Sequence, residues 1–492
     1  MSKNFLKLAV FVLVFQLSHL AQASHLMGGE ITWKCLANGQ FRFYLKVYRD
    51  CNGVPFGPPV SLDVHNCPGV TSIPMNVVTQ TDISSQGFNN SSIHPCPTCA
   101  NPGQVGGAVE EWYFESNPIT LNGVPPANGW IFSYSNCCRN AAITNLSNPG
   151  SQGFTLRAIM YPYNGQNTNP CFDSSPEFAE IPNTIICNGY PFQYNHNAID
   201  DELDSLVYSF GKPLDSWSSG AWSATNPTPL GYSPNYSFTS PLPGTTQNAN
   251  NIPAAIDSNL GIISFLSFTP GNFVTVTKCS AYKCGVLVAE IYREIQIALL
   301  NCQPILGTGV PNNPPDVTKP FINPNTGLFT ETRDTLYAGE IVDFFMSATD
   351  FDIVPNLPGN LQTLTLEASG NEFGAGFTNP LAGCIIPPCA TLNPPPPAQA
   401  VAGTGTQFHW ETNCDHLGFT NGCVNLSNTY NFVIKVKDNF CPANGITFTT
   451  IAITILAPPV MKAPKIHCVN VQANGDIQTD MAHPHRYLRC VF

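Results

Sequence analysis

The run Asp200-Asp201-Glu202-Leu203-Asp204 has the first claim on chemistry in this 492-residue chain. Carboxylates at i, i+2 and i+4 converge on one hard cation when the loop curls, and calcium takes about six to eight oxygen ligands. A second copy keeps Asp350 and Asp352 but has Val354 in the third place. Leu203 and Ile353 stand where a glycine would ease the turn. A solvated acidic turn capping a strand explains the same spacing. Cys96-Pro97-Thr98-Cys99 is a CxxC in a Pro/Asn/Gly loop with no helix after it. It lacks the setting that lowers a thiol pKa, and a zinc site needs a second ligand pair. A structural disulfide pair is therefore expected, ahead of a secreted oxidoreductase. Glu110-Glu111 leads an aromatic strand and reads as an edge acidic pair rather than as glycosidase carboxylates. The ten histidines form no recognisable ligand spacing, and His483-Pro484-His485 reads as incidental. There is no G-x-S-x-G elbow, P-loop or dinucleotide fingerprint. Trp217, Trp222, Tyr232 and Tyr236 are candidates for a sugar-stacking platform or for core and loop anchors. Asn89, Asn90, Asn145, Asn235 and Asn425 begin N-x-S sequons.

The elements that must position these residues are strands. Phe41, Phe43, Leu45 and Val47 share one face while Arg42, Tyr44 and Lys46 take the other. Leu364 and Leu366, then Phe432, Ile434 and Val436, then Ile451, Ile453 and Ile455 alternate in the same way. Proline (45) and glycine (38) exclude coiled coils and long helices. Many short alternating runs between Pro/Gly/Asn turns predict all-β sandwiches. Asn38-Gly39 signals a type I′ hairpin that sets Cys35 opposite Arg42. That register disfavours a Cys35–Cys51 bridge and favours Cys51 with Cys67. Cys279 and Cys284 are expected to bridge locally, and adjacent Cys137 and Cys138 to bridge different partners from opposite strand faces. With 19 cysteines at least one thiol is left over or pairs with another chain.

Residues 1–23 read as a signal peptide, with Lys3 and Lys7, an apolar run Leu8 to Leu20 and Ala21-Gln22-Ala23. The mature chain would carry 18 basic against 32 acidic residues, a charge of 18 − 32 = −14. That argues against nucleic acid as a partner. No second run is long enough to span a bilayer. Many cysteines in an exported chain point to disulfides in an oxidising place. The expected organisation is a sandwich-type domain at 24–180, a module at 181–302, a Pro-rich linker at 303–320, a second module at 321–457 and a tail at 458–492. Pro394 to Pro397 should be a loop within the second module. The segments 190–302 and 330–457 look like diverged copies, each with an Ala-x-Asp turn and a long closing strand.

Several motifs together resemble a family. Ser24-His25-Leu26-Met27-Gly28-Gly29-Glu30 and Val47-Tyr48-Arg49-Asp50-Cys51-Asn52 open the similarity. It continues through Cys137-Cys138-Arg139-Asn140, Ser174-Ser175-Pro176-Glu177-Phe178, the loop from Ala198 to Leu206, and Arg293-Glu294-Ile295-Gln296-Ile297. The chain resembles the gliding-motility-associated, type IX-secreted adhesin-like surface proteins of Bacteroidota. The resemblance implies tandem immunoglobulin-like and cadherin-like β-sandwiches with disulfides, displayed outside the cell. It implies calcium between modules, held by Asp200, Glu202 and Asp204, by Asp350 and Asp352, and by Asp438. It implies a non-catalytic role in surface adhesion or gliding motility, with a glycan or protein ligand the sequence does not name. Pro464 to Ile477 resembles the first strands of a fibronectin type III-like module, after which the pattern breaks. Truncation or a frame shift near residue 478 is expected, leaving 465–492 without order. The rival reading is a carbohydrate-binding accessory region of a larger secreted hydrolase.

Overall fold

The computed structural model describes residues 26–53, 55–85, 96–102, 108–163, 173–182, 184–301, 312–354, 359–370, 372–373, 384, 386–417, 426–441 and 443–458, and the backbone of 466–471 and 477–481. The expected signal peptide lies outside them, as do His483, His485, Asn89, Asn90 and Asn425. The described chain is all β apart from two short 3-10 turns, Pro149–Ser151 and Cys414–Leu417.

The alternation read from the sequence decides which side chains enter the cores. Phe41, Phe43, Leu45 and Val47 are buried and Arg42, Tyr44 and Lys46 are not fully so. Around them one sheet closes on itself. Leu26–Cys35 pairs with Phe41–Asp50, and pairing continues through Val109–Ser116, Ser72–Asp82, Val60–His65, Trp130–Asn136 and Phe154–Met160 to Val286–Leu300. Val286–Leu300 then pairs back onto Leu26–Cys35, with Gly28 opposite Ile295 and Gly29 opposite Glu294. The ring encloses Trp33, Phe43, Phe114, Trp130 and Phe132. It extends outward through Gly271–Lys283 and Ser205–Phe210. The strand that closes the ring comes from beyond residue 180, so the expected division at 180/181 runs through one sheet.

The second unit is a sandwich. A sheet of Asp316–Val317, Ile341–Thr349, Gly403–Glu411 and Thr391–Asn393 faces one of Arg333–Tyr337, Ile446–Leu456, Ser427–Lys437, Thr363–Gly370 and Ala398–Val401. Phe344, Phe408 and Trp410 meet Leu364, Phe432, Ile434 and Ile451 between them. Pro394 to Pro397 form the loop that passes from one sheet to the other.

The two units share apolar surface. Phe448 packs on Phe192 and Tyr194, with ring centroids 6.1 and 5.1 Å apart. Val433, on the opposite face of its strand from Phe432 and Ile434, joins that cluster. Cys96 bonds Cys441 across 345 residues.

Several local expectations are corrected. At the first hairpin Leu36 N–H donates to Gln40 O and Gly39 N–H to Leu36 O, both at 2.8 Å. Only Gly39 has a left-handed φ, 81°. The turn is therefore a type I turn closed by a glycine bulge, which inserts one residue. Cys35 consequently faces Phe41, and Lys34 faces Arg42. Cys51 bonds Cys99, not Cys67, which is a free buried thiol. Cys279 is also free, because one strand runs unbroken from Gly271 to Lys283. Five residues of extended chain separate Cys279 from Cys284 by roughly 16 Å, beyond disulfide reach. Cys137 and Cys138 bond each other. Their strand ends at Asn136, so strand alternation does not direct them apart. In the tail the backbone of Ile466–Val471 pairs with that of Ile477–Met481, and most of the rest of 465–492 lies outside the described residues.

Candidate carboxylate sites

Several of the resemblance motifs meet at one buried polar knot. Arg293, fully buried, forms a two-pronged ion pair with Glu30 and donates to Glu180 O at 2.6 Å. Its guanidinium lies 4.6 Å over the Phe178 ring. Beside it Arg139 pairs with Glu294. A Cβ on Gly28 would collide with Glu294 O, so the motif glycine permits the close approach of two strands. Each charge here is matched, which makes these motifs the frame rather than the site.

Two acidic clusters stand apart from that frame. In the first, Asp200 Oδ1 accepts from the backbone N–H of Glu202 (3.1 Å) and Asp204 (2.9 Å), which curls the loop. Leu203 takes the left-handed φ, 58°, that a glycine would favour. Its side chain is buried in the core cluster of the second unit, which holds the conformation in place. Two residues that the sequence did not single out complete the cluster. Asp173 stands beside Ser174 and Ser175, whose hydroxyls accept from Cys35 N and Trp33 N. Lys283 ends the strand Gly271–Lys283 with a side chain 1% exposed. Its Nζ lies 3.1 Å from Asp173 Oδ1 and 2.9 Å from Asp204 Oδ1. Burial, and then the neighbouring carboxylates, push Asp173 and Asp200 well above the usual carboxylate range. Burial also raises Glu202. Burial lowers the Lys283 pKa, but Asp173 and Asp204 outweigh that and leave it raised. Calcium would have to displace the Lys283 ammonium to bind here, although Asp173 Oδ2, Asp200 Oδ2 and Asp204 Oδ2 are likewise buried without a hydrogen-bond donor among the described residues.

The second cluster differs. Asp350 Oδ1 accepts from Asp352 N–H at 2.9 Å, the same curl as at Asp200. Ile353 has no left-handed φ, and Val354 is buried. Asn313 donates to Asp352 through its backbone N–H (2.6 Å) and side-chain amide. Asp438 Oδ1 accepts from Phe440 N–H and Gly445 N–H, and its Oδ2 from Asn312 Nδ2 at 2.7 Å. Gln362 Nε2 donates to Asn312 Oδ1 at 2.6 Å. Burial pushes Asp438 up to about 8 and Asp350 up to about 6. Asp350 Oδ2 and Gln362 Oε1 are buried without a hydrogen-bond donor. Such orphaned acceptors are costly unless something fills them. The oxygens around them, carboxylate and amide, are the types that suit a hard divalent cation, and calcium here would have to draw Asp350, Asp352 and Asp438 together, since their carboxylates do not all lie within 4.8 Å of one another. Asn312, Asn313 and Gln362 lay outside the sequence reading. The only local sign of the first two was their place in the Pro-rich linker.

The remaining candidates resolve into structure. Cys99 and Cys96 sit in bridges to distant partners, so the CxxC holds two disulfides rather than one pair. Cys51, Cys99 and Glu110 lie close enough to share a metal, but the two sulfurs are bonded to each other. Glu110 is held by Arg49, Trp112 and Gln80, and Glu111 faces the other side of the strand. Trp217 and Trp222 pack on His65, whereas Tyr236 packs on Phe273 and Tyr232 on a third cluster. They anchor separate loops and do not form one platform. Asn145 spends its amide on Pro241 O, Val274 O and Val274 N–H inside the core. No described helix is long and apolar enough to cross a membrane.

No family model matches the chain, and no curated protein matches it. Among solved structures it is similar to the surface layer protein SbsC, domains 1–6, at 9% identity and a TM-score of 0.14. That match covers 97% of this chain, which spans 61% of the SbsC chain. It is also similar to the zebrafish RET cadherin-like domains 1 to 4, at 10% identity, a TM-score of 0.14, and coverage of 81% of this chain and 73% of that one. These are weak likenesses to multi-domain β proteins, and no function is argued from them.

Proposed function

We propose that this chain is a non-catalytic, exported, adhesin-like structural protein that holds a binding surface away from the cell and is stiffened by calcium at its second acidic cluster. The observation that carries the calcium reading is the pair of orphaned buried oxygens, Asp350 Oδ2 and Gln362 Oε1, beside Asp438. Asp350, Asp352 and Asp438, with the amide oxygens of Asn312 and Gln362, would hold the ion. The ion would supply positive charge to carboxyls that burial otherwise favours in the acid form. Asn312 and Asn313 lie where the chain enters the second unit, so binding there would tie the entry strand to the sandwich. The disulfides fit an oxidising, extracellular setting. The packed, cross-bridged seam supports a stiff presenting body. The adhesive partner and the link to gliding motility follow from the sequence resemblance.

Calcium that binds the folded state raises the melting temperature by mass action. The full chain should melt higher in calcium than in chelator, by about 2.7 kcal/mol of added stability at a hundredfold excess over Kd. Asp350→Asn should remove most of that difference, and Asp200→Asn should leave it in place. Identical melts with calcium and chelator overturn the reading.

A further inference from the structure

We infer that Lys283 and Asp173 condense into an intramolecular isopeptide bond. Lys283 Nζ sits 3.1 Å from Asp173 Oδ1 and 2.9 Å from Asp204 Oδ1, with all three side chains nearly sealed from solvent. Asp173 Oδ2 and Asp200 Oδ2 are buried with no hydrogen-bond donor among the described residues, so the cluster is not a saturated ion-pair network. The partners are held on different rigid supports. Lys283 stands at a strand end paired with Val286, and the residues after Asp173 are bound to the edge of Leu26–Cys35. Trp33 Nε1 donates to Asp173 O at 3.3 Å and walls the site. Holding two reacting groups this close in a dry pocket removes much of the entropic barrier to their union.

The step balances without any added reagent. Asp204 takes one proton from the Lys283 ammonium and frees the lone pair on Nζ. Nζ attacks Cγ of Asp173 in its acid form. The C–N bond forms and the C–O bond breaks. The departing hydroxyl takes a second nitrogen hydrogen and leaves as water, and the third stays on the amide. Asp204 is the base, and Asp200 and Glu202 face the same site. The bond would fasten residue 173 to residue 283, a span of 283 − 173 = 110 residues. A covalent tie replaces a buried ion pair that would otherwise carry several desolvated charges.

Intact mass spectrometry of the purified full chain, with disulfides reduced, tests this. The expected mass is about 18 Da, one water, below the sequence mass for the observed termini. Trypsin should fail to cut after Lys283 and should release a branched peptide joining it to Asp173. The Lys283→Arg variant keeps the charge, cannot condense, and should show full mass. Full mass in the native chain with cleavage after Lys283 overturns the inference, whether or not any variant folds. A branch on Asp204 overturns the assignment of Asp173 as acceptor.

Discussion

Glu180 lies at the seam of the two units, where Ser369 of the second donates to its Oε1 at 2.7 Å. Burial pushes its carboxyl up to about 8. The fold thus prefers the acid form. The stability this group contributes is fully present below the ordinary glutamate value of about 4.3, and it is lost as pH rises through about 8. Glu180→Gln should therefore match the native chain near pH 5 and exceed it near pH 9. The gain should be roughly 1–4 kcal/mol, since each pKa unit is about 1.4 kcal/mol. Denaturant melts of both chains across that range decide it, and parallel curves would refute it. The buried thiols point the same way: burial lifts Cys67 to about 11, which keeps it unreactive.

At the scale of elements, the acidic loop shows how packing overrides a local preference. A left-handed φ at a leucine is strained by about 1–2 kcal/mol. Leu203 nonetheless holds it, because its side chain fills the core of the neighbouring sandwich. Leu203→Gly should relieve the strain but open a cavity that costs about 2–5 kcal/mol, a net loss of roughly 0–4 kcal/mol. A glycine variant more stable than the native chain in urea would show that the turn, not the packing, governs this loop. The hairpin at Gly39 teaches the converse. Asn-Gly was legible as a turn, but only the hydrogen bonds of Leu36 and Gln40 decided between a two-residue turn and a bulged one. One inserted residue moved every partner of the strand by one place.

Across the whole molecule, the seam makes one body of two cores. Cys96–Cys441 closes the longest described covalent loop, and Phe192, Tyr194, Val433 and Phe448 bury apolar surface between the two units. Long loops lose most entropy on closure, so removing the bridge should be felt globally. The Cys96→Ser/Cys441→Ser double variant should unfold about 2–5 kcal/mol more easily. Scanning calorimetry checks this, and an unchanged transition would show that the packed seam alone suffices.

The sequence by itself determined the all-β class and the faces of the main strands, while the curl of both Ala-x-Asp loops came from the structure. Strand faces are legible because a period of two is a local property. The sequence also identified Asp200, Asp204, Asp350 and Asp438 as residues of interest. Only the tertiary structure decided what surrounds them. Lys283 reaches the first cluster across 79 residues from Asp204, and Asn312 reaches Asp438 across 126. It also decided that Val286–Leu300 closes the first ring, and which cysteines meet. Such contacts depend on how whole sheets fold onto one another, and no spacing along the chain encodes that.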